Sequence, residues 1–138
     1  MKTEHAPTIQ RADYQPLPWT VETVDLHFRL DAEATLVTNR MRCVRNPGAG
    51  EGPLRLWSEA LERVALTVDG EAPGVIRETA GVLEIDVDGD AATVEVVTRI
   101  NPRANTTLSG LYLSNGGFFT QCEAEGFRRI TCFPDRPD

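Results

Sequence analysis

The sequence predicts an all-β domain, built as an antiparallel β-sandwich or a saddle-like sheet. Six or seven short segments alternate apolar and polar residues, and turn-forming Gly, Pro and Asp residues separate them. Alternation with a period of two is typical of strands that bury one face. Short strands joined by such turns are typical of sandwiches and barrel-like sheets. No long helical period and no internal repeat interrupts the pattern.

The first two predicted strands form a hairpin that follows an extended arm. The arm reaches Pro18, because Pro16 and Pro18 fix φ and remove backbone donors. The apolar face of the first strand holds Val24, Leu26, Phe28 and Leu30. The second strand spans Ala34–Val44, with Val37, Met41 and Cys43 on one face and Arg40 and Arg42 on the other. We expect the first strand to be half-buried, with its apolar face against the core.

Shorter alternating segments predict the rest of the sheet. A loop rich in Gly and Pro covers residues 46–53, and a helical turn or a bend is expected at 58–62. Further strands are expected around Leu54 and Leu56, at 64–68, at 83–87 and at 93–100. From residue 101 onward the alternation ends, which predicts a loop followed by a short turn or helix. Trp19 and Trp57 are expected to lie partly in the core.

Length, charge and hydropathy exclude several classes of function. The chain has 138 residues, a usual size for one domain. Lys and Arg number 14 against 21 Asp and Glu, which gives a formal net charge of −7. This acidic balance argues against nucleic acid, which binds clustered positive charge, and against an anionic membrane surface. No apolar run approaches the ~20 residues that a membrane span needs.

The cysteines and the amino terminus indicate a cytoplasmic protein. The three cysteines, Cys43, Cys122 and Cys132, are odd in number and widely spaced, so we expect reduced thiols. Residues 1–7 contain no apolar core of a secretory signal. The two histidines, His5 and His27, are too few and too far apart for a metal site, and a thiol nucleophile would need a nearby base. We therefore expect neither a catalytic residue nor a metal ligand in this chain.

Charged residues gather around a predicted bend at Gly126. Gln121, Glu123 and Glu125 precede the bend, and Arg128 and Arg129 follow it. From the residues alone, the two carboxylates and two guanidinium groups predict an ion-pair network that braces a loop. Exposed ion pairs contribute only ~0–1 kcal/mol each, so such a network would add little stability.

The same region carries a resemblance to a known family. The segments 108–114, 119–130 and 135–138 closely resemble the bacterial aminopeptidase N family of zinc metallopeptidases. Looser matches occur at Asp13-Tyr14 with Pro16, at Val24-Asp25-Leu26, and at Asn101-Pro102 with Asn105-Thr106. The resemblance therefore covers nearly all of the chain and is most specific over residues 108–138.

The resemblance implies a domain without its own catalytic centre. In that family this region belongs to an N-terminal β-domain that packs on a thermolysin-like catalytic domain. The family motifs Gly-x-Met-Glu-Asn and His-Glu-x-x-His lie downstream, and neither occurs here. Residues 1–138 are thus expected to be an incomplete N-terminal domain, truncated at its C-terminal end and inactive alone. Zinc is implied for the full-length enzyme and no cofactor for this chain.

The resemblance also assigns a substrate-binding pair. It places Glu123 at the free α-amine of a peptide substrate and Gln121 in the same pocket. A free α-amine has an ordinary pKa of about 7.7–8.0 and is largely cationic at neutral pH, and a desolvated carboxylate needs such a partner. The implied partners are a peptide amino terminus and the catalytic domain of the same enzyme. By the family pattern Glu125 has the structural role, paired with Arg128 or Arg129.

Two alternatives stay open at the level of sequence. Glu123 and Glu125 could both brace the loop and bind nothing. The whole chain could also be a free-standing β-sandwich that serves as a binding or interaction module without an enzymatic role.

Overall fold

The structure, a computed structural model, describes residues 8–136 and shows an antiparallel all-β architecture. The described residues contain nine strands and two single turns of 3-10 helix. The strands are β1 (Trp19–Arg29), β2 (Thr35–Arg45), β3 (Leu54–Trp57), β4 (Glu62–Val68), β5 (Ile76–Thr79), β6 (Val82–Ile85), β7 (Ala91–Ile100), β8 (Gly110–Ser114) and β9 (Gly117–Gln121). The 3-10 turns are Arg11–Asp13 and Phe127–Arg129. The predicted fold class is confirmed. Among these residues no helix is long and apolar enough to cross a membrane.

The strands form two facing sheets and a separate hairpin. The larger sheet has the order β1-β2-β7-β4 and the smaller one β3-β6-β5, while β8 pairs with β9. Every pairing is antiparallel. Strand β2 pairs with β7 over ten consecutive positions without a register shift. This long regular pairing makes β2 and β7 the centre of the larger sheet.

The main core lies between the two sheets. Strands β2 and β7 each bury every second residue, as expected for strands with one face on a core. The cluster between the sheets includes Trp19, Met41, Cys43, Leu54, Leu56, Leu83, Ile85, Val94 and Val96. Trp19 is 2% exposed and donates its indole N–H to the carbonyl oxygen of Gly52 at 3.1 Å. Trp19 is therefore fully in the core, whereas Trp57 is half-buried, as expected.

The burial expected for the first strand is wrong in part. Val24 and Leu26 are each 39% exposed and Leu30 is 53% exposed, although Phe28 is half-buried. These side chains share a face with the buried residues of β2, because Val24 pairs with Met41 and Leu26 with Asn39. Within residues 8–136 these positions of β1 stay exposed, whereas the residues that face them on β2 are buried. The alternation predicted the strand correctly, but it carries no information on which parts of the strand other segments of the chain cover.

The loop expected after residue 101 is also corrected. Strands β8 and β9 form a hairpin there, and β5 is a further strand that alternation did not predict. The tip of the hairpin is Asn115-Gly116, with φ of 49° and 77°. Two central residues at positive φ are required by the type I′ turn, for which Asn-Gly is a strong sequence signal. The signal was present, but the mixed composition of the flanking strands concealed it. At 58–62 the chain makes a bend before β4 and no helical turn.

Candidate functional site

The candidate site is the loop of residues 121–126, which follows directly from the hairpin. Strand β9 ends at Gln121, and the 3-10 turn Phe127–Arg129 begins one residue after Gly126. The amide of Gly126 donates to the carbonyl oxygen of Cys122 at 2.8 Å and closes the loop. A Cβ at Gly126 would meet the carbonyl oxygen of Gln121 and lie 2.7 Å from Cys122 Cα. Only glycine fits so close to backbone, so the predicted bend at Gly126 is a steric requirement.

A largely buried ion pair follows the bend of this loop. Arg128 donates from Nε to Asp135 Oδ2 at 3.0 Å, and its backbone amide donates to the same oxygen at 3.1 Å. The two side chains are only 15% and 13% exposed. Charges removed from water need a close partner and further hydrogen bonds, and this pair has both. The predicted network near the bend is therefore real, but its main acid is Asp135, which the sequence analysis did not single out for this role.

The two glutamates of the loop differ in their surroundings. Glu125 lies 3.5 Å from Arg128, measured from Oε1 to Nη2, and is 63% exposed. Glu123 is exposed, and within residues 8–136 its carboxylate has no hydrogen bond and no ion pair. Arg129 pairs instead with Glu59 at 2.8 Å. The structure thus brings Glu125 into the bracing network and leaves Glu123 out of it.

Gln121 is exposed at the last position of β9, two residues before Glu123. A cleft of about 570 Å³ lies beside the loop. It is bounded by the N-terminal arm on one side and by the 3-10 turn Phe127–Arg129 on the other. Its lining includes Ile9, Tyr14, Trp57, Glu125, Arg128 and Arg136. Glu125 lines this cleft, whereas Gln121 and Glu123, to which the family resemblance assigns substrate binding, do not. Gln121 and Glu123 therefore face open solvent in this chain.

Buried polar side chains tie the segment after the loop to the larger sheet. Asn39 on β2 donates from Nδ2 to Thr131 Oγ1 and to the carbonyl oxygen of Cys132, each at 3.2 Å. Thr98 on β7 donates its hydroxyl to the carbonyl oxygen of Ile130 at 2.8 Å. Both side chains are fully buried. Sequence reasoning missed these anchors, although a polar residue on the apolar face of a strand, as at Asn39, is a visible signal.

Apolar contacts complete this attachment. A second cluster of buried residues contains Val37, Ile100, Leu111 and Ile130. Phe127 and Phe133 pack edge to face with ring centroids 4.9 Å apart. Phe133 also exchanges backbone hydrogen bonds with Trp57 at the end of β3. The loop is thus flanked on both sides by chain that packs on the rest of the described residues.

The cysteines are poor candidates for chemistry. Burial raises the pKa of the Cys43 thiol to about 12 and that of Cys132 to about 11. Burial, followed by the charge of Asp135, also raises the pKa of Cys122. A nucleophilic cysteine needs the opposite shift, because the thiolate is the reactive form. All three are free thiols.

The described part of the chain offers no metal centre. Residues 8–136 contain no group of three or more His, Cys, Asp and Glu side chains that could hold a metal ion. A structural zinc site needs four such ligands, and a catalytic one needs three. The residues present therefore do not fit a zinc ion, and zinc chemistry would have to come from residues outside this range.

Comparison with known proteins gives a consistent assignment. The chain is 42% identical over 140 residues to aminopeptidase N of Caulobacter vibrioides, covering 100% of this chain and 16% of that protein. It is also 42% identical over 128 residues to aminopeptidase N of Escherichia coli, covering 93% of this chain and 15% of that protein. The chain thus spans about a sixth of the length of these curated relatives. No protein-family profile matches it.

Solved structures show the same fold. A crystal structure of Legionella pneumophila aminopeptidase A in complex with aspartic acid matches 92% of this chain and 15% of its own, with a TM-score of 0.83 and 28% identity. An M1 zinc metallopeptidase from Deinococcus radiodurans matches 87% of this chain and 30% of its own, with a TM-score of 0.67 and 18% identity. The latter likeness concerns the fold alone. The resemblance read from the sequence is confirmed, and the chain is homologous to the N-terminal region of aminopeptidase N.

Proposed function

We propose that this chain supplies the substrate amino-terminus anchor of a zinc aminopeptidase. In this proposal Glu123 binds the α-ammonium group of a peptide, and Gln121 lines the same pocket. Residues 1–138 form the leading, incomplete part of an N-terminal β-domain that packs on a catalytic domain. That catalytic domain holds the zinc, which activates water and polarises the scissile carbonyl. The enzyme releases amino-terminal residues from peptides, and this chain is inactive alone.

The observation that carries the proposal is the contrast between the two loop glutamates. Glu125 is engaged by Arg128, while no described residue engages the carboxylate of Glu123. A carboxylate held on a braced loop without a partner of its own is available to a cationic group from outside. Homology to aminopeptidase N supports the α-ammonium group of a peptide as that cation.

The chemistry explains how such a contact selects for exopeptidase action. Once a catalytic domain covers the loop, Glu123 loses water and needs a positive partner. A free amino terminus supplies the charge and three N–H donors, whereas a blocked or internal amine supplies neither. A site whose buried polar groups stay unpaired rejects the wrong substrate strongly. Glu123 would therefore act on the choice of substrate and not on the bond-breaking step.

The proposal extends to the compartment. The three free thiols support a reducing compartment such as the cytoplasm, and the acidic charge favours no role with nucleic acid.

A chimera tests the anchor. This chain replaces the matching segment of the Escherichia coli enzyme, and kcat/KM is measured with a free-amine peptide substrate. Glu123→Gln keeps the shape of the side chain and removes its charge. We expect it to lower kcat/KM by about 10- to 150-fold, because a charge-assisted contact contributes ~1.5–3 kcal/mol. Its melting temperature should match that of the unsubstituted chimera.

Glu125→Gln is the matched control for this experiment. It removes a neighbouring charge of the same loop and should leave kcat/KM within a few fold of the unsubstituted chimera. Unchanged kcat/KM in Glu123→Gln would contradict the anchor assignment. A large loss of stability in Glu123→Gln would place Glu123 in the bracing network instead.

A metal measurement tests the proposal that zinc binds in the catalytic domain and not in this chain. The isolated chain, washed with a chelator and exposed to zinc, should retain no stoichiometric zinc and hydrolyse no aminoacyl amide. One zinc per chain would overturn this part of the proposal.

A further inference from the structure

The side chain of Asn105 binds the backbone on both sides of Gly110, the first residue of β8. Its Nδ2 donates to the carbonyl oxygen of Ser109 at 2.8 Å and to that of Leu111 at 2.9 Å. Its Oδ1 accepts from the backbone amide of Thr107 at 3.1 Å and from the hydroxyl group of Thr107 at 2.7 Å. The donors and the acceptor of this amide are therefore all used. No other side chain of this length donates twice and also accepts, so the arrangement specifies asparagine.

Gly110 connects the hairpin to the 3-10 turn that follows the site loop. It pairs with Gln121 at the open end of β8 and β9. Its φ is 79°, and a Cβ there would lie 2.9 Å from the Cβ of Arg129. Glycine alone combines this conformation with so close an approach. The position of Gly110 therefore sets how far Gln121 lies from the turn Phe127–Arg129.

Ser109 lies against the site loop itself. A Cβ at Gly126 would lie 3.0 Å from the Oγ of Ser109. Residues 109–111 thus form one side of the loop of residues 121–126, and Asn105 fixes that side through two of its carbonyl oxygens. All these contacts are internal to residues 105–129, so they do not depend on which surfaces the rest of an enzyme covers.

The backbone at the start of β8 needs such support. Leu108 has a φ of 56° and Gly110 a φ of 79°, so two left-handed residues flank Ser109. A leucine in this conformation is unfavourable and persists only where the surrounding structure fixes it. The hydrogen bond from Asn105 reaches the carbonyl group between these two residues, and without it the segment can relax. Because this segment pairs with the end of β9, a change at residue 105 should reach the site loop.

We propose that Asn105 is a positioning residue for the substrate pair Gln121 and Glu123. Its effect on substrate rests on the proposed function of that pair. Asn105 itself touches no substrate; it fixes residues 109–111, which pair with the end of β9 and pack against the loop. Gln121 and Glu123 then keep a constant separation, so a peptide ammonium group binds without the entropy cost of ordering the loop.

The thiol of Cys122, which lies between the two substrate residues, reports on the loop in the chain as it is. Cys122 is partly buried, whereas Cys43 and Cys132 are fully buried. We expect Asn105→Ala to speed the alkylation of Cys122 at least about threefold, because the loop opens more often. Cys43 and Cys132 should keep their slow rates, since the core between the two sheets stays folded.

The chimera with the Escherichia coli enzyme tests the effect on substrate. We expect Asn105→Ala to raise KM for a free-amine peptide about three- to tenfold and to leave kcat within about twofold, because a displaced Glu123 binds the ammonium group less tightly. A merely destabilising change would instead reduce the amount of folded enzyme, which lowers the apparent kcat and leaves KM unchanged. In a Glu123→Gln background, Asn105→Ala should raise KM by no more than about twofold, because the contact that it positions is already lost.

Asn101→Ala is the matched control for both measurements. Asn101 is exposed, and its Oδ1 accepts from the backbone amide of Ala104 at 3.0 Å. The same substitution there leaves the bonds from Asn105 to Ser109 and Leu111 in place. It should keep KM and the labelling rate of Cys122 within about twofold of the unsubstituted values.

The outcomes separate this role from the proposed function. Unchanged labelling of Cys122 in Asn105→Ala would overturn the positioning role, as would equal acceleration in Asn101→Ala. Unchanged KM in Asn105→Ala, with the loss in Glu123→Gln still present, would refute the effect on substrate and leave the anchor intact. If Glu123→Gln itself left kcat/KM unchanged, the proposed function would fail, and faster labelling of Cys122 would still assign Asn105 to the support of the loop.

Discussion

The larger sheet and the segment of residues 110–136 are held together in different ways. Strands β2 and β7 bury alternate side chains completely, so the sheet is stabilised by continuous apolar packing. The segment 110–136 exposes most of β9 and depends on a few anchors, including the Arg128–Asp135 pair and the hydrogen bonds from Asn39 and Thr98. Apolar packing is spread over many residues, whereas anchoring is concentrated in a few. The fold and the candidate site can therefore be disrupted separately.

The largest expected effect is a cavity in the core of the sandwich. Leu56 is fully buried between the two sheets. Leu56→Ala should lower the free energy of unfolding by about 2–5 kcal/mol, since both transfer energy and cavity formation contribute. Denaturant titration measures the change. The matched control is Phe119→Ala on β9, where the ring is 50% exposed and the loss should be about 1 kcal/mol or less. Equal losses at the two sites would contradict the proposed difference between the regions.

The second effect is the loss of the buried anchor. Asp135→Ala leaves the guanidinium of Arg128 without its main partner at a site where it is 15% exposed. Removing one member of a fully buried pair costs about 3 kcal/mol or more, and we expect a smaller loss here because the pair is partly exposed and Arg128 keeps Glu125 and a backbone carbonyl oxygen as partners. We expect hydrogen exchange to accelerate in residues 122–136 while β2 and β7 stay protected, because the anchor serves that segment alone. Uniform acceleration through the sheet would show that the two regions unfold together.

The third effect is a pH dependence of the free energy of unfolding that arises from a cysteine buried in the larger sheet. Burial raises the pKa of the Cys43 thiol from its ordinary 9.0 to about 12. The unfolded chain therefore loses this proton at lower pH than the folded one, so the contribution to stability is complete below about pH 9 and is lost as the pH rises towards 12. Between pH 9 and pH 10 the loss is about 1 kcal/mol for one thiol.

Cys43→Ala provides the comparison for that pH dependence. This variant should show a shallower decline in unfolding free energy above pH 9 than the unsubstituted chain. Alkylation of the folded protein should modify the partly exposed Cys122 first and leave Cys43 unreacted. Rapid labelling of Cys43 in the folded chain would contradict its placement in the core.

The smallest effect concerns the exposed member of the bracing network. Glu125 is 63% exposed and 3.5 Å from Arg128. Glu125→Ala should change the free energy of unfolding by less than about 1 kcal/mol, because water screens such pairs. Comparison with Asp135→Ala in one denaturant series separates the two acids that contact Arg128. If Glu125→Ala lowered the free energy of unfolding as much as Asp135→Ala does, the exposed Glu125 would be as important as Asp135 for holding Arg128.

Much of the fold could be predicted from the sequence because burial and alternation coincide in its central strands. At Val37, Met41 and Cys43 the apolar side of the pattern is the buried side. The hairpin of β8 and β9 was missed, because its strands expose apolar residues such as Phe119 and carry no clean alternation. The bend at Gly126 and an ion pair of Arg128 beside it were recognised, but Asp135 was not, because Arg128 and Asp135 are seven residues apart and meet only after the chain turns.

By itself the sequence determined the all-β class, the strands that become β2 and β7, the expectation of reduced cysteines and the family resemblance, because these depend on local pattern and residue type. Tertiary structure alone decided which apolar faces are covered. Val24 and Leu26 continue the pattern of the strand, yet within residues 8–136 they stay exposed, while Met41 and Asn39, which pair with them on β2, are buried. The tertiary structure also decided which loop glutamate forms an ion pair, since Glu125 contacts Arg128 and Glu123 does not. Both outcomes depend on distances between segments far apart in the chain, and alternation within one segment carries no information about them.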